Sequence, residues 1–222
     1  MLSVMIPDDY TMQDFHDFVR NNPDWYTFVV PSERQEQLQL NAKGMLQCRD
    51  NKGRSIYLIK LARIDAGLSN PKRELQFDEM WFESVLDDIK TQANGVSVIV
   101  DVNGFSWKLF RWLTPGLMKV CLKGTEIYPC KEYVYHIVNT SGFLNAAIKL
   151  VWPFLSEKIK KQTKFHFNNW NSLHEHISAE VLPPEYGGSG PDIDFEDLTK
   201  WLLDQEARIR KNLEYRQNPW NG

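Results

Sequence analysis

His174-Glu175-His176, Asp101, His136 and a basic run around Lys158 are the residues whose types and spacing bear on chemistry. A metal needs ligands that converge, and two histidines two apart on a helix leave on different faces. His174 and His176 are therefore read as solvent-facing helix residues. Asp101 closes a run of β-branched residues, where a carboxylate serves either as a general base or as a hydrogen-bonded structural group; the structural role is the expectation. Catalytic templates that demand fixed spacings find no match. Gly187-Gly188-Ser189-Gly190 lacks the second glycine of a nucleophile elbow, no GxxxxGK[ST] phosphate loop occurs, and Val96–Gly104 ends in a single glycine. On this reading the chain has no catalytic residue, no metal site and no cofactor. An α/β enzyme using Asp101 or His136 as acid or base is the weakest alternative.

Binding chemistry is better represented. In Phe143–Lys164, the apolar residues from Phe143 to Leu155 are too many for one stripe of a surface helix, which implies burial or contact with something apolar on more than one side. Pro153 should break or bend the segment. Five lysines (Lys149, Lys158, Lys160, Lys161, Lys164) stand there against one acid, Glu157. At about 100° per residue, Lys160, Lys161 and Lys164 share one arc if the helix runs that far, and Lys158 points elsewhere. Two readings stay open: a buried helix with a solvated end, or a lid with an apolar inner face and a cationic end that docks on anionic lipid, each basic group contributing about 1 kcal/mol. The aromatic cluster Phe105, Trp107, Phe110 and Trp112 is equally two-sided, as core or as the wall of a cavity.

The totals narrow the classes. With 222 residues the chain suits one domain of ordinary size. A formal charge of -3 gives no global reason to expect nucleic acid, so an anionic partner must be met by a local patch. Cys48, Cys121 and Cys130 are odd in number and lack CxxC spacing, which favours reduced thiols in a cytoplasmic protein. Met1–Pro7 is too short for a signal-peptide core, and no apolar run approaches the roughly 20 residues of a membrane span, so membrane contact is expected to be peripheral. Asn139-Thr140-Ser141 matches a glycosylation acceptor but sits at the end of an expected buried strand, and is discounted.

The elements that must position these groups follow from periodicity. Arg54–Lys60, Val96–Val102 and Tyr133–Asn139 read as interior strands and Lys164–Asn168 as a weaker fourth. Between the first two, Phe77, Met80, Trp81, Val85, Leu86 and Ile89 recur at helical intervals over Phe77–Ala93, with Asp78, Glu79 and Glu83 on other positions. Between the second and third, Thr114-Pro115 caps a helix that Gly124 stops. Asn171–Val181 reads as a short helix, Met12–Asn22 as another, and Asp194 as the cap of a helix carrying Leu198, Trp201, Leu202 and Ile209. Pro31–Leu46 is polar and unassigned, and the tail from Arg216 has no pattern. Strands alternating with helices imply an α/β domain with a mainly parallel sheet.

Landmarks in this order resemble the CRAL-TRIO lipid-carrier family, to which the alpha-tocopherol transfer protein and the cellular retinaldehyde-binding protein belong. They are Asp50-Asn51-Lys52-Gly53-Arg54, Asp101-Val102-Asn103-Gly104, Thr114-Pro115, Tyr128-Pro129, His136-Ile137-Val138-Asn139, Pro153-Phe154-Leu155 and Pro184-Glu185-Tyr186-Gly187-Gly188. The resemblance covers roughly residues 51–188. It implies a sheet-floored apolar cavity closed by a gate helix, about Phe143–Lys161, and carriage of one lipophilic molecule between membranes. Candidate ligand-binding residues are Phe105, Trp107, Phe110, Val138, Phe143, Ala147, Val151, Phe154 and Ile159. In relatives similar to the tocopherol carrier, basic residues beside the gate bind phosphoinositide headgroups; Lys158 and Lys160 match those places, with Lys161 and Lys164 as electrostatic support.

Departures from the family refine this. The fungal phosphatidylinositol-transfer branch holds its cargo's headgroup with an acid after the Tyr-Pro pair and a lysine before Pro-Phe-Leu; this chain has Cys130 and Trp152 there. The resemblance thus implies a retinoid, carotenoid, tocopherol or sterol-like cargo. Family members begin with a basic helical bundle, and Met1–Asn22 is too short for it. The expected organisation is a remnant of that region over 1–47, the lipid-binding domain over 48–190, and a C-terminal helix and tail over 191–222. Expected partners are a small lipophilic ligand and a phosphoinositide-containing membrane surface, the protein being a cytoplasmic monomer. A phosphoinositide-dependent membrane adaptor that carries nothing is the alternative.

Overall fold

A computed structural model describes residues 12–26, 29–127 and 130–217. Met1–Pro7, the Tyr128-Pro129 landmark and residues 218–222 of the tail lie outside the described residues.

The chain opens with α1 (Met12–Asn21) and α2 (Gln35–Gln39), then a hairpin of β1 (Lys43–Arg49) and β2 (Ser55–Lys60). Next come α3 (Pro71–Leu86), α4 (Ile89–Asn94), β3 (Val96–Asp101), α5 (Trp107–Phe110), α6 (Pro115–Ile127) and β4 (Tyr133–Val138). They are followed by α7 (Leu144–Val151), α8 (Glu157–Gln162), β5 (Thr163–Phe167), α9 (Trp170–His174), α10 (Phe195–Asp204) and α11 (Glu206–Gln217). Starts are set by side-chain caps: Asn70 accepts from the backbone N–H of Lys72 and Arg73, and Asp88, Ser106, Ser156, Asn169 and Asp194 act likewise.

The five strands form one sheet in sequence order, β1 antiparallel to β2 and the rest parallel. Parallel registry aligns Tyr57, Val98 and Tyr135, so alternate residues divide cleanly between two faces. One face carries Tyr57, Ile59, Val98, Val100, Tyr135 and Ile137. The other carries Ile56, Leu58, Ile99, His136 and Val138, all fully buried. Against this second face pack Leu173, Ile177, Leu182, Tyr186 and α10, whose Leu198 Cδ1 lies 2.8 Å from where a Cβ on Gly44 of β1 would stand.

Several expected boundaries move. The segment read as one gate helix over Phe143–Lys161 is two helices, with a 3-10 turn at Trp152–Phe154 and extended backbone at Leu155 between them. Pro153 removes the backbone donor there and Ser156 restarts the helix with its hydroxyl. Lys164 consequently lies on β5 and not on a helical arc with Lys160 and Lys161. Gly124 does not stop α6; it sits inside it because a Cβ there would stand 2.1 Å from the Tyr26 hydroxyl. The helix read over Phe77–Ala93 begins six residues earlier and breaks at Asp87–Asp88. Its acids Glu79 and Glu83 are buried, since α3 is covered on nearly all sides. The helix read over Asn171–Val181 closes at His174.

Candidate functional site

Between the first sheet face and the helices above it lies a cavity of about 520 Å³. Its floor is the sheet, from Tyr57 and Ile59 through Val98, Val100 and Ile137 to Phe165. One wall is α3, where Leu75, Asp78, Glu79 and Phe82 fall at i, i+3, i+4 and i+7 on one stripe. A second wall runs from Phe105 and Leu109 through Trp112 and Leu113 to Leu117 and Cys121 of α6. The remaining side is α7 and α8. Leu144, Ala147, Ile148 and Val151 repeat the same helical spacing on α7, and Trp152, Leu155 and Ile159 continue the lining past the break.

The lining is apolar except at one end. There Lys43, from β1, donates to Glu74 Oε2 at 2.7 Å, to Asp78 Oδ1 at 2.6 Å and to the Glu74 carbonyl at 3.3 Å. Tyr57 donates its hydroxyl to Asp78 Oδ1 at 2.6 Å, while Gln37 and Ser69 donate to Glu74 Oε1. Burial alone would lower the Lys43 ammonium, but the Asp78 and Glu74 charges outweigh it and hold it above its ordinary value. Burial pushes the Asp78 carboxyl up, against the pull of Lys43. It raises Tyr57 far more, with Asp78 adding to the effect. Cys121, also on the lining, is pushed up to about 12 by burial, which makes it an unreactive thiol.

Of the residues singled out in the sequence, Phe105, Ala147, Val151 and Ile159 line the cavity. Val138 does not: it shares strand parity with His136 and is fully buried on the opposite sheet face, whereas its neighbour Ile137 faces the space. Trp107 and Phe110 stack and Phe143 packs tilted against both, outside the lining, with centroids 5.2 to 6.2 Å apart, and Phe154 is 47% exposed on the 3-10 turn. Trp107 itself is 55% exposed. Lys158 and Lys161 are exposed on α8, and Lys160 pairs with Glu157 at 2.8 Å. Lys164 follows the parity of His166 and projects from the other side of the sheet from Thr163 and Phe165.

The histidines depart from expectation. His174 and His176 do point apart, but neither is a free surface group: His174 Nε2 meets the Tyr186 carbonyl at 2.9 Å, and His176 packs with its ring 5.2 Å from that of His136. His136 Nδ1 is 3.0 Å from His166 Nε2, and His166 Nδ1 is 2.8 Å from the Ser172 hydroxyl. Among the described residues no group of three or more histidine, cysteine or acidic side chains is arranged to hold a metal. Asp101 is structural: it accepts from Tyr186 at 3.0 Å, from Asn139 at 2.7 Å and from the Asn103 N–H.

The polar end, with Lys43, Tyr57, Glu74 and Asp78, is what sequence reasoning missed. Its signal was Asp78 itself, a carboxylate between Leu75 and Phe82 on the helix stripe that packs inward. Lys43 lay in a segment left unassigned.

Likenesses to known proteins agree with this architecture. The chain is 34% identical to Clavesin-1 of Rattus norvegicus over 161 residues, covering 72% of this chain and 46% of that protein. It is 32% identical to Clavesin-2 of Homo sapiens over 164 residues, covering 73% and 50%. The chain thus spans about half the length of the curated relatives it matches. The crystal structure of Sfh5 superposes with a TM-score of 0.56 at 17% identity, over 85% of this chain and 68% of that one, and so shares the fold. Residues 41–188, which hold the sheet, the cavity and the Pro-Glu-Tyr-Gly-Gly turn, match the CRAL/TRIO domain, and the chain belongs to that family.

Proposed function

We propose that this protein binds a single lipophilic molecule in the cavity over its sheet and carries it between membranes. The observation that carries this reading is the cavity, about 520 Å³ of space walled by side chains from the sheet and three helical segments. That volume lies in the range of small-molecule sites, about 300–1,000 Å³. An apolar guest hiding about 400 Å² would gain on the order of 10 kcal/mol gross at 25 cal/mol/Å², of which association consumes a large part. A carrier also has to meet a membrane. Trp107, Phe110 and Phe143 offer an aromatic cluster beside α7, and aromatic side chains suit the lipid–water boundary. No helix among the described residues is long and apolar enough to cross a membrane.

Phosphoinositide headgroups are the proposed anionic partner, met by Lys158 and Lys161 with Lys160 beside them on α8. The position of Lys164 on the other side of the sheet leaves it out of this patch. Cargo of the retinoid, carotenoid, tocopherol or sterol type is favoured by Trp152, which puts an indole on the lining where the fungal branch has a lysine. Extraction of protein purified from its native tissue, followed by mass spectrometry, tests the reading. One lipophile per chain is expected. Absence of any stoichiometric lipid, together with no saturable uptake of retinoid, tocopherol, sterol or phospholipid, overturns it.

A further inference from the structure

The polar end of the cavity is an expensive arrangement for a space that only has to be oily. Asp78 occupies an inward position of α3, flanked on the same stripe by Leu75 and Phe82, and is half-buried. Its Oδ1 accepts from both Lys43 Nζ and Tyr57 OH. All three Lys43 donors are used, two on carboxylates and one on the Glu74 carbonyl. Oδ2 of Asp78 has no hydrogen-bond partner among the described residues. Yet 22% of the Asp78 side-chain surface is open, against 3% for Lys43, and that opening is onto the cavity.

A carboxylate oxygen that opens onto a mostly apolar cavity and has no donor loses much of its solvation once a guest displaces water there, and the cost is recovered when that guest supplies a donor. Resting on the carrier reading above, we infer that the cavity ligand is a lipophile ending in a hydroxyl, and that Asp78 Oδ2 accepts the hydrogen bond from that hydroxyl. A single hydroxyl suits the site, because it satisfies Oδ2 with one donor, whereas the remaining donors of an ammonium would be left facing the apolar lining. An ether, an ester or a hydrocarbon of the same shape leaves Oδ2 without its partner, and the site rejects it for that reason. Lys43, Tyr57 and Glu74 are positioning residues: they fix the Asp78 rotamer so that one oxygen is committed to the protein and the other faces the guest.

The test uses delipidated full-length chain and matched probes: retinol, α-tocopherol and cholesterol, each against its own O-methyl ether, by equilibrium binding. At least one alcohol is expected to bind about tenfold or more tightly than its ether, the usual scale for a hydrogen bond to a charged group. In Asp78→Leu, where Lys43 keeps Glu74, the preference should fall below about threefold while the ether binds as before. Equal affinity for alcohol and ether in the unmutated protein overturns the inference and leaves the carrier reading standing. Binding of neither member of any pair overturns the inference, and overturns the carrier reading as well if phospholipid is not taken up and the native protein carries no stoichiometric lipid. A preference that survives in Asp78→Leu also overturns it, and if that variant does not fold the comparison of pairs in the unmutated protein decides alone.

Discussion

Tyr186 donates its phenolic hydroxyl to Asp101 Oδ2 at 3.0 Å, and so ties the Pro-Glu-Tyr-Gly-Gly turn to the end of the central strand β3. Lys60 at the end of β2 pairs with Glu185 at 2.5 Å, and Asn139 after β4 shares Asp101. The two glycines are required by space. At Gly187, with φ at 68°, a Cβ would stand 2.6 Å from the Trp170 ring, and at Gly188 it would stand 1.9 Å from the Leu182 carbonyl oxygen. The turn is a latch across the ends of three strands.

Tyr186→Phe leaves Asp101 with Asn139 and the Asn103 N–H, so the expected loss is about 1–3 kcal/mol, read by urea denaturation. Gly188→Ala forces the backbone of the turn apart and should cost more than Tyr186→Phe. An order reversed between the two would mean that the turn is not held by close backbone approach.

Filling the cavity separates binding from folding. Ala147 lies on the inner stripe of α7 and is only half-buried. Ala147→Trp should abolish uptake of a lipophilic guest while changing stability by less than about 1 kcal/mol, because the indole enters existing space. Retained uptake with one guest per chain would place the binding site elsewhere.

Removing the two exposed lysines of α8 should weaken binding to vesicles containing phosphatidylinositol bisphosphate. At about 1 kcal/mol each, Lys158→Ala with Lys161→Ala is expected to lower affinity about 30-fold, in a manner that added salt mimics. Lys164→Ala should have little effect, since it projects from the opposite side of the sheet. Cosedimentation measures both; equal losses from the two sets would dissolve the patch.

Acid should destabilise the protein through its histidines. Burial, then the charges of His166 and His176, push His136 down to about 3, and burial with His176 and Lys164 pushes His166 down to about 4. Asp50 opposes the shift at His136 and Arg54 adds to it. The folded protein keeps both rings neutral where the unfolded chain binds protons, so stability is full above about pH 6.5 and falls as pH drops toward 4. The slope is about 1 kcal/mol per pH unit for each histidine. His136→Gln should reduce that slope in denaturation measured between pH 7 and 4; an unchanged slope would assign the acid sensitivity to other groups.

The parallel strands were legible because Val96–Asp101 and Tyr133–Val138 are dense in β-branched and aromatic residues, as interior strands must be. β1 was not, because Lys43, Gln47 and Arg49 break its alternation; it is an edge strand whose lysine turns inward to meet two acids of α3. The cavity wall was half legible. Ala147 and Val151 stand four apart on α7 and agree with helical spacing, and Ile159 lies beyond the break; Val138, a candidate by family resemblance, fails because strand parity selects Ile137. Phe143 and Phe154 look like the greasiest lining candidates and lie outside it: Phe143 precedes α7 and packs on Trp107 and Phe110, and Phe154 sits exposed on the 3-10 turn that Pro153 makes.

β3 has Val98 and Val100 under the cavity and Asp101 beneath the Tyr186 latch, on opposite faces of the same six residues. Gaining or losing a single residue inside Val96–Asp101 would turn the valines downward and the aspartate upward together. Cavity floor and fastening therefore stand or fall as one unit, and length variation in this chain has to be confined to the connections around that strand.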